Sequence, residues 1–211
     1  MSLNTLIERG YRALNRLVPS DITQVLTLDL MQLGSPCTAT PRIDFAFLSA
    51  EEISSFSANP THELNSDMAE LINSKQARCY AATIGGELAA YTWVAKGRVA
   101  PEHNRGGGCF RGIGFDLPKS MAYIFKVLVL PAQRGKNLNG NLLSYLGTEL
   151  KNEGIDCLIT TTDWTNTAFL RSAAKTGFKQ AALAGEFVVG SKHFYKLPAL
   201  NHDGLRLLAG Y

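Results

Sequence analysis

This sequence carries little charge, and what it carries nearly balances. Of 211 residues, 18% are Asp, Glu, Lys or Arg, and the formal net charge is +3. No Lys/Arg block is longer than two residues. Nucleic-acid binding needs a concentrated basic footprint, so no nucleic-acid partner is expected. Cysteine is sparse as well. Cys37, Cys79, Cys109 and Cys157 stand far apart, with no CxxC pair and no Cys/His cluster at metal-ligand spacing. That pattern argues against a bound metal and for free thiols in a reducing compartment. No apolar run reaches the length of a membrane span, and no secretory signal is visible. The expectation is a cytoplasmic, soluble protein without a membrane span.

The rest of the composition is that of a folded domain. The chain is 45% hydrophobic, enough to bury a sizeable core. Its length suits one large domain, or one domain with an N-terminal addition. No internal repeat or low-complexity tract is present.

Along the chain, Leu3, Leu6, Ile7, Leu14, Leu17 and Val18 recur at helical spacing, with Glu8, Arg9, Arg12 and Arg16 largely opposite. An amphipathic helix with a basic face is expected there, packed on its own domain. Residues 21–30 alternate as a strand does. "GSPCTATP" (34–41) is a breaker-rich connection, and "IDFAFLS" (43–49) a strand. "SAEEISSFSA" opens with a Ser followed by acids, a helix N-terminus, and "ELNSDMAELINSK" (63–75) is helical. Two apolar runs flank Gly85-Gly86 within 77–97, the mark of a hairpin. Residues 98–120 hold seven Gly or Pro and little periodicity, so they form an irregular loop with short extended pieces near Gly112–Phe115. "AYIFKVLVL" (122–130) is the best candidate for a central buried strand. A helix over 138–153, a strand over 156–162, a helix over 166–178 and strands over 179–189 and 191–197 follow. The order is mixed α/β.

One stretch carries chemistry. In "KVLVLPAQRGKNLNGNLLSYL" (126–146), a strand ends at Pro131, the chain turns, and a helix starts near Leu138. The first-turn N–H groups of that helix lack internal partners and, with the helix dipole, attract an anion. Arg134 and Lys136 add positive charge, and Gly135 lets the backbone approach closely. A Walker loop is excluded, because its spaced Gly-Lys-Ser/Thr is missing.

This segment resembles the acetyl-CoA signature of the GNAT N-acetyltransferase superfamily. Val129, Pro131, Arg134, Gly135, Leu138 and the Leu142-Leu143 pair match it, while Asn137 and Asn139 stand where two further glycines belong. Asparagine tolerates positive φ best among non-glycine residues, so the turn survives. "NTAFLRSAAKTGF" resembles the second signature, with Asn166, Gly177 and Phe178 at the right spacing. The closer resemblance covers about residues 77–197. It implies a GNAT-like α/β fold, a strongly twisted mixed sheet with helices on both faces, over residues 41–211. Residues 1–40 would then be an extension.

The resemblance also implies a cosubstrate, acetyl-CoA. Main-chain groups of Leu128 and Val129 would meet its pantetheine arm. The N–H groups of Arg134, Gly135, Lys136, Asn137, Leu138, Asn139 and Gly140 would hold its pyrophosphate, and Asn166 would lie near the thiol end. The implied reaction is acetyl transfer to the primary amine of a small-molecule acceptor, such as an amino sugar or nucleotide sugar. Another small amine or a peptide end is equally open, and so is assembly as a homodimer. Such transfer needs a base for the amine and an acid for the thiolate. Many family members use a tyrosine for the acid, but the matching position here is Ala173. Tyr195 and Tyr145 are alternative acids. His103 (beside Glu102), Asp116 and Asp163 are candidate bases. Arg98, Arg105, Arg111 and Lys119 would suit an anionic acceptor. The competing readings are a transferase for a longer acyl group and a non-catalytic acyl-CoA-binding module.

Overall fold

A computed structural model of the protein describes residues 18–34, 43–104, 109–200 and 204–210. The expected helix before Val18, most of the connection 34–41, Cys37, Arg105 and His202 lie outside the described residues. In chain order the strands are β1 Ser20–Asp29, β2 Ile43–Phe47, β3 Ala77–Ile84, β4 Glu87–Lys96, β5 Arg98–Val99, β6 Ile113–Asp116, β7 Met121–Val129, β8 Cys157–Asp163, β9 Lys179–Val189, β10 Lys192–Lys196 and β11 Arg206–Ala209. The α-helices are α1 Ala50–Ser57, α2 Met68–Asn73, α3 Leu138–Asn152 and α4 Thr167–Thr176. This is the expected mixed α/β class, with a large and mostly antiparallel sheet. Among the described residues no helix is long and apolar enough to cross a membrane.

The chain divides into two compact units that interleave in sequence. The larger holds residues 28–99 and 117–159, and the smaller holds 1–27, 100–116 and 160–211. Strand β8 passes from the larger to the smaller between Ile159 and Thr160.

In the larger unit the strands run in the order β2-β3-β4-β7-β8. Pairing is antiparallel except between β7 and β8. The β3–β4 hairpin turns at Gly85 and Gly86, both at positive φ, as a two-residue turn of matching twist requires. Eight consecutive residues of β4 are buried. Helix α1 starts with a capping box: the Ser49 hydroxyl accepts from Glu52 N–H, and the Glu52 carboxylate accepts from Ser49 N–H. Helix α2 is shorter than 63–75, because Glu63 takes a left-handed conformation at φ +52° and a helix cannot start through it. Helix α3 buries Leu138, Leu142, Leu146 and Leu150 on one stripe, the last three completely. Each contributes about 2 kcal/mol of apolar burial.

In the smaller unit the order is β10-β9-β1-β8, with β9 antiparallel to both neighbours. Strand β1 departs from simple alternation: a bulge between Val25 and Leu26 buries both. Strand β11, unforeseen in the sequence, pairs with β6. It is four residues long, too short for a periodic signal.

Candidate active site

The expected central strand is only partly buried. Residues 121–124 of β7 are inside, but residues 125–130 are half-buried although five of the six are apolar. Two features of the larger unit explain this. First, the β7–β8 ladder covers only Met121↔Cys157, Ala122↔Leu158 and Tyr123↔Ile159. Beyond Tyr123 the β8-facing edge of β7 carries no ladder among the described residues. Second, β7 bulges against β4: Tyr91 faces Leu128 and Trp93 faces Phe125, so Lys126 and Val127 oppose Thr92 alone. Lys126 sits at φ +48°. A strand edge of this kind can pair with an extended amide chain, as an added strand would.

Past Val129 the chain makes a short turn, Pro131–Gln133. The Arg134 guanidinium folds back and donates from Nε to Val129 O at 3.2 Å. Lys136 Nζ donates to Gln133 Oε1 at 2.8 Å. Residues 134–137 are exposed, while Leu138 anchors the helix start in the core. Gly135 has φ +80°, and a Cβ built on it would meet nothing within 4 Å. Asn137 is the N-cap of α3, at φ +53° and ψ +24°, with no side-chain cap bond. Asparagine thus keeps the left-handed turn that the second glycine would have supplied. The first main-chain bond into the helix is Asn141 N–H to Asn137 O at 3.2 Å, so the preceding donors have no partner inside the helix. A Cβ on Gly140 would lie 2.8 Å from Asn137 Oδ1, so a larger residue there would displace the exposed Asn137 amide. The room that Gly140 provides is filled by the Asn137 amide.

The second signature lies in the smaller unit. Asn166 caps α4, its Oδ1 accepting from Phe169 N–H and its Nδ2 donating to Thr162 Oγ1, both at 3.2 Å. Helix α4 stops at Gly177, φ +100°, and Phe178 N–H bonds Ala173 O at 3.0 Å, a Schellman ending. Ala173 itself is buried.

The candidate catalytic groups have different surroundings. His103 lies in the 3-10 turn Pro101–Asn104; burial lowers its pKa, and Glu102 opposes that shift. Asp116, on β6, is 3.6 Å from an exposed Arg206, a pair of little energetic weight. Asp163 accepts from the main chain and hydroxyl of Thr165, closing a local turn. Tyr145, in the larger unit, stacks on Phe45 with ring centroids 4.2 Å apart, which is a packing role. The Tyr195 hydroxyl is 3.2 Å from Glu186 Oε1 and 3.0 Å from Gly210 O. It has one proton for two acceptors, and burial, with the nearby Glu186 charge, pushes its pKa up to about 12.

Sequence reasoning missed Glu186. Its side chain is 1% exposed. It accepts from Arg111 N–H at 2.9 and 3.0 Å, from Gly112 N–H at 2.9 Å and from His193 Nδ1 at 2.6 Å. One buried carboxylate therefore gathers the loop at 111–112 and strand β10. Asp21, on β1, is nearby and buried; burial first, then the charges of Asp163 and Glu186, raise its pKa to about 6. A single acid inside the apolar run "KQAALAGEFVV" was the available signal. Among the described residues no cluster of three or more His, Cys, Asp or Glu is arranged to hold a metal.

The site thus consists of a strand whose ladder to β8 ends early, a left-handed turn and the start of a helix. The sequence matches the model of the acetyltransferase (GNAT) family over residues 46–178. The chain belongs to that family. No curated protein matches it. Among the solved structures that share its fold are three proteins of this kind. A GNAT-family protein from Novosphingobium aromaticivorans has a TM-score of 0.51 at 14% identity, covering 91% of this chain and 66% of that one. An acetyltransferase of the same family from Colwellia psychrerythraea has a TM-score of 0.53 at 17% identity, covering 84% and 60%. A GNAT-type N-acetyltransferase from Kribbella flavida has a TM-score of 0.51 at 13% identity, covering 83% and 61%. This chain thus spans less than two thirds of the length of each.

Proposed function

We propose that the protein transfers an acetyl group from acetyl-CoA to the primary amine of a small acceptor. The open edge of β7 beside a half-buried apolar stretch carries this reading. Main-chain groups of Leu128 and Val129 would pair with the pantetheine arm. The exposed turn from Arg134 to Asn137, with Leu138, Asn139 and Gly140, would present N–H groups to the pyrophosphate. The open space over Gly135 fits the close approach of phosphate oxygens. Asn166 would act near the thiol end, in addition to capping α4.

The thioester supplies an activated acetyl group. The chain must hold the acceptor amine, take a proton from it and return one to the departing thiolate. His103 is the preferred base, because its lowered pKa keeps the ring neutral and able to accept a proton near pH 7. Asp116 is the second candidate. Tyr195 would serve as acid only by giving up a proton shared with Glu186 and Gly210. Proximity and alignment would supply much of the rate. The acceptor would be an amino sugar or nucleotide sugar, or equally another small amine or a peptide end, with Arg98, Arg111 and Lys119 suited to an anionic one. Free thiols at Cys79, Cys109 and Cys157, with Cys109 exposed, suit the reducing, cytoplasmic reading.

Ala173 favours one competing reading. A buried methyl stands where the family's tyrosine acid is expected, as suits a module that binds acyl-CoA without turnover. Thermal unfolding with acetyl-CoA, CoA, ATP and NAD tests the binding step. A ligand at a hundred times its Kd adds about 2.7 kcal/mol. Saturable shifts with CoA and acetyl-CoA, but none with NAD, are expected. Thiol release across a panel of amines then separates enzyme from module. No shift at millimolar coenzyme removes the proposal.

A further inference from the structure

The described chain holds four non-glycine residues at positive φ: Glu63, Lys75, Lys126 and Asn137. Two of them are tied to each other. Lys126, in the bulge of β7, sends its ammonium to the carbonyl oxygen of Glu63. Its Nζ also lies 3.9 Å from Met68 Sδ. Next to this contact, the hydroxyl of the fully buried Tyr91 donates to His62 O at 3.0 Å. The segment 62–63 is therefore held twice, by Lys126 within the bulge and by Tyr91 of β4 beside it. Within the bulge, Thr92 Oγ1 donates to Phe125 O at 3.4 Å.

A lysine gains nothing from φ +48° by itself, since its Cβ crowds the following carbonyl. Such a conformation lasts only where its surroundings fix it. Here the fixing contact is a charged donor on a main-chain acceptor, stronger than a neutral hydrogen bond. Burial lowers the Lys126 pKa, while Glu63 and Cys79 oppose that shift. Downstream, the bulge sets the register in which Leu128 faces Tyr91. It thereby sets which main-chain groups of residues 128 and 129 lie on the open edge.

We propose that Lys126 is a positioning residue: its bond to Glu63 holds the β7 bulge in the shape that presents the main chain of Leu128 and Val129 to the pantetheine arm, an inference that rests on the coenzyme reading above. Lys126 does not touch the reacting atoms. It acts through the strand that carries it.

Three variants separate shape from contact. Lys126→Met keeps the side-chain length and the left-handed demand but removes the donor. Lys126→Gly removes the tie and also the need for it, because glycine takes positive φ freely. Lys126→Arg keeps a charged donor. CoA affinity, measured by titration calorimetry, is expected to fall about tenfold in Lys126→Met, about 1.4 kcal/mol. It is expected to stay within about threefold of wild type in the Gly and Arg variants. Amide exchange at Leu128 and Val129, read without ligand, should speed up in the Met variant and not in the Gly variant. Rescue by glycine is what a merely structural or directly liganding lysine would not give. Wild-type affinity in Lys126→Met, or a Gly variant as weak as the Met variant, overturns the inference. Should the wild type bind no CoA, the coenzyme reading fails. The exchange pattern then still decides whether Lys126 holds the bulge, and equal exchange in all variants refutes it.

Discussion

Asn137→Gly restores the residue that the family signature would place at the N-cap of α3. Its consequences can be worked from the cradle geometry. Asn137 sits at φ +53° and makes no side-chain cap bond, so glycine forfeits no hydrogen bond to the helix. A left-handed residue with a Cβ costs up to roughly 1–2 kcal/mol, less for asparagine, and glycine recovers that cost. Glycine gives back about 0.5–1 kcal/mol in backbone entropy. The net change in stability is therefore within about 1 kcal/mol, a Tm shift of about 2–4 °C at most for a chain of this size. The effect on binding is larger. The Asn137 amide fills the space over Gly140, where its Oδ1 would lie 2.8 Å from a Cβ. Removing that amide uncovers the first turn of α3, where one additional hydrogen bond to a charged phosphate contributes about 1.5–3 kcal/mol. CoA affinity should rise roughly tenfold or more. Titration calorimetry on wild type, Asn137→Gly and Asn137→Ala reads the effect, the alanine variant keeping the conformational cost. Weaker binding by Asn137→Gly would refute the reasoning, and would make the Asn137 amide a ligand for the pyrophosphate rather than an obstruction.

Other changes test other parts of the site. Gly135→Val places a β-branched side chain at φ +80°, in open space; stability should drop by about 1–2 kcal/mol and CoA affinity by tenfold or more, about 1.4 kcal/mol, and unchanged affinity by calorimetry would remove the phosphate cradle. Glu186→Gln puts an NH2 group among four donors around a side chain that is 1% exposed; the urea midpoint should report a loss of about 3 kcal/mol, and a wild-type midpoint would show that the carboxylate does not hold the 111–112 loop. Asp21 has a folded pKa raised from 3.8 to about 6. Its neutral form is therefore favoured by folding: the contribution is full below pH 4 and is lost as pH rises through 6, by a quantity on the order of 2–3 kcal/mol. Asp21→Asn should flatten the stability profile between pH 4 and 6 in urea titrations and exceed wild type at pH 7; parallel profiles would contradict the assignment.

Local signals in this sequence were legible because local physics sets them. Gly85-Gly86 defined a hairpin, Ser49 with Glu52 a helix start, and Gly177 a helix stop. The helix over 138–153 was legible as well, and it forms as α3. Pairing between distant segments was not legible. Nothing in "RLLA" announces that it will pair with residues 113–116. The strand over 122–130 looked fully buried because apolar residues fill it, yet its ladder to β8 ends at Tyr123. Two signals were nevertheless present. Lys126 is the one charged residue in "AYIFKVLVL", and Glu186 is the one acid in "KQAALAGEFVV". Each proved to hold a distant main-chain segment, Glu63 in one case and residues 111–112 in the other. A lone charge inside an apolar strand has a steep desolvation cost, so it persists where it has partners.

The two halves of the candidate site differ in legibility for a chemical reason. Phosphates are held by main-chain N–H groups, so a cradle constrains backbone conformation more than side-chain identity. Conformation is set by contiguous residues, and Asn137 could replace glycine because it reaches the same left-handed turn. A phosphate cradle of the proposed kind would therefore be readable in one stretch even with asparagine at positions 137 and 139. Recognising an amine and moving its proton depend on side chains, and those carry no rule of spacing. His103, Arg111, Asp116, Glu186, His193 and Tyr195 are scattered over some ninety residues of sequence, all within the smaller unit. Of these, Arg111, Glu186, His193 and Tyr195 come together only because Gly190 turns β9 back along β10 and the loop at 111–112 closes on Glu186. The same physics explains why the position of Ala173 was easy to find and its replacement was not. Ala173 leaves a gap in a contiguous motif, whereas a group donating the proton in place of a tyrosine could come from any segment that the fold brings near.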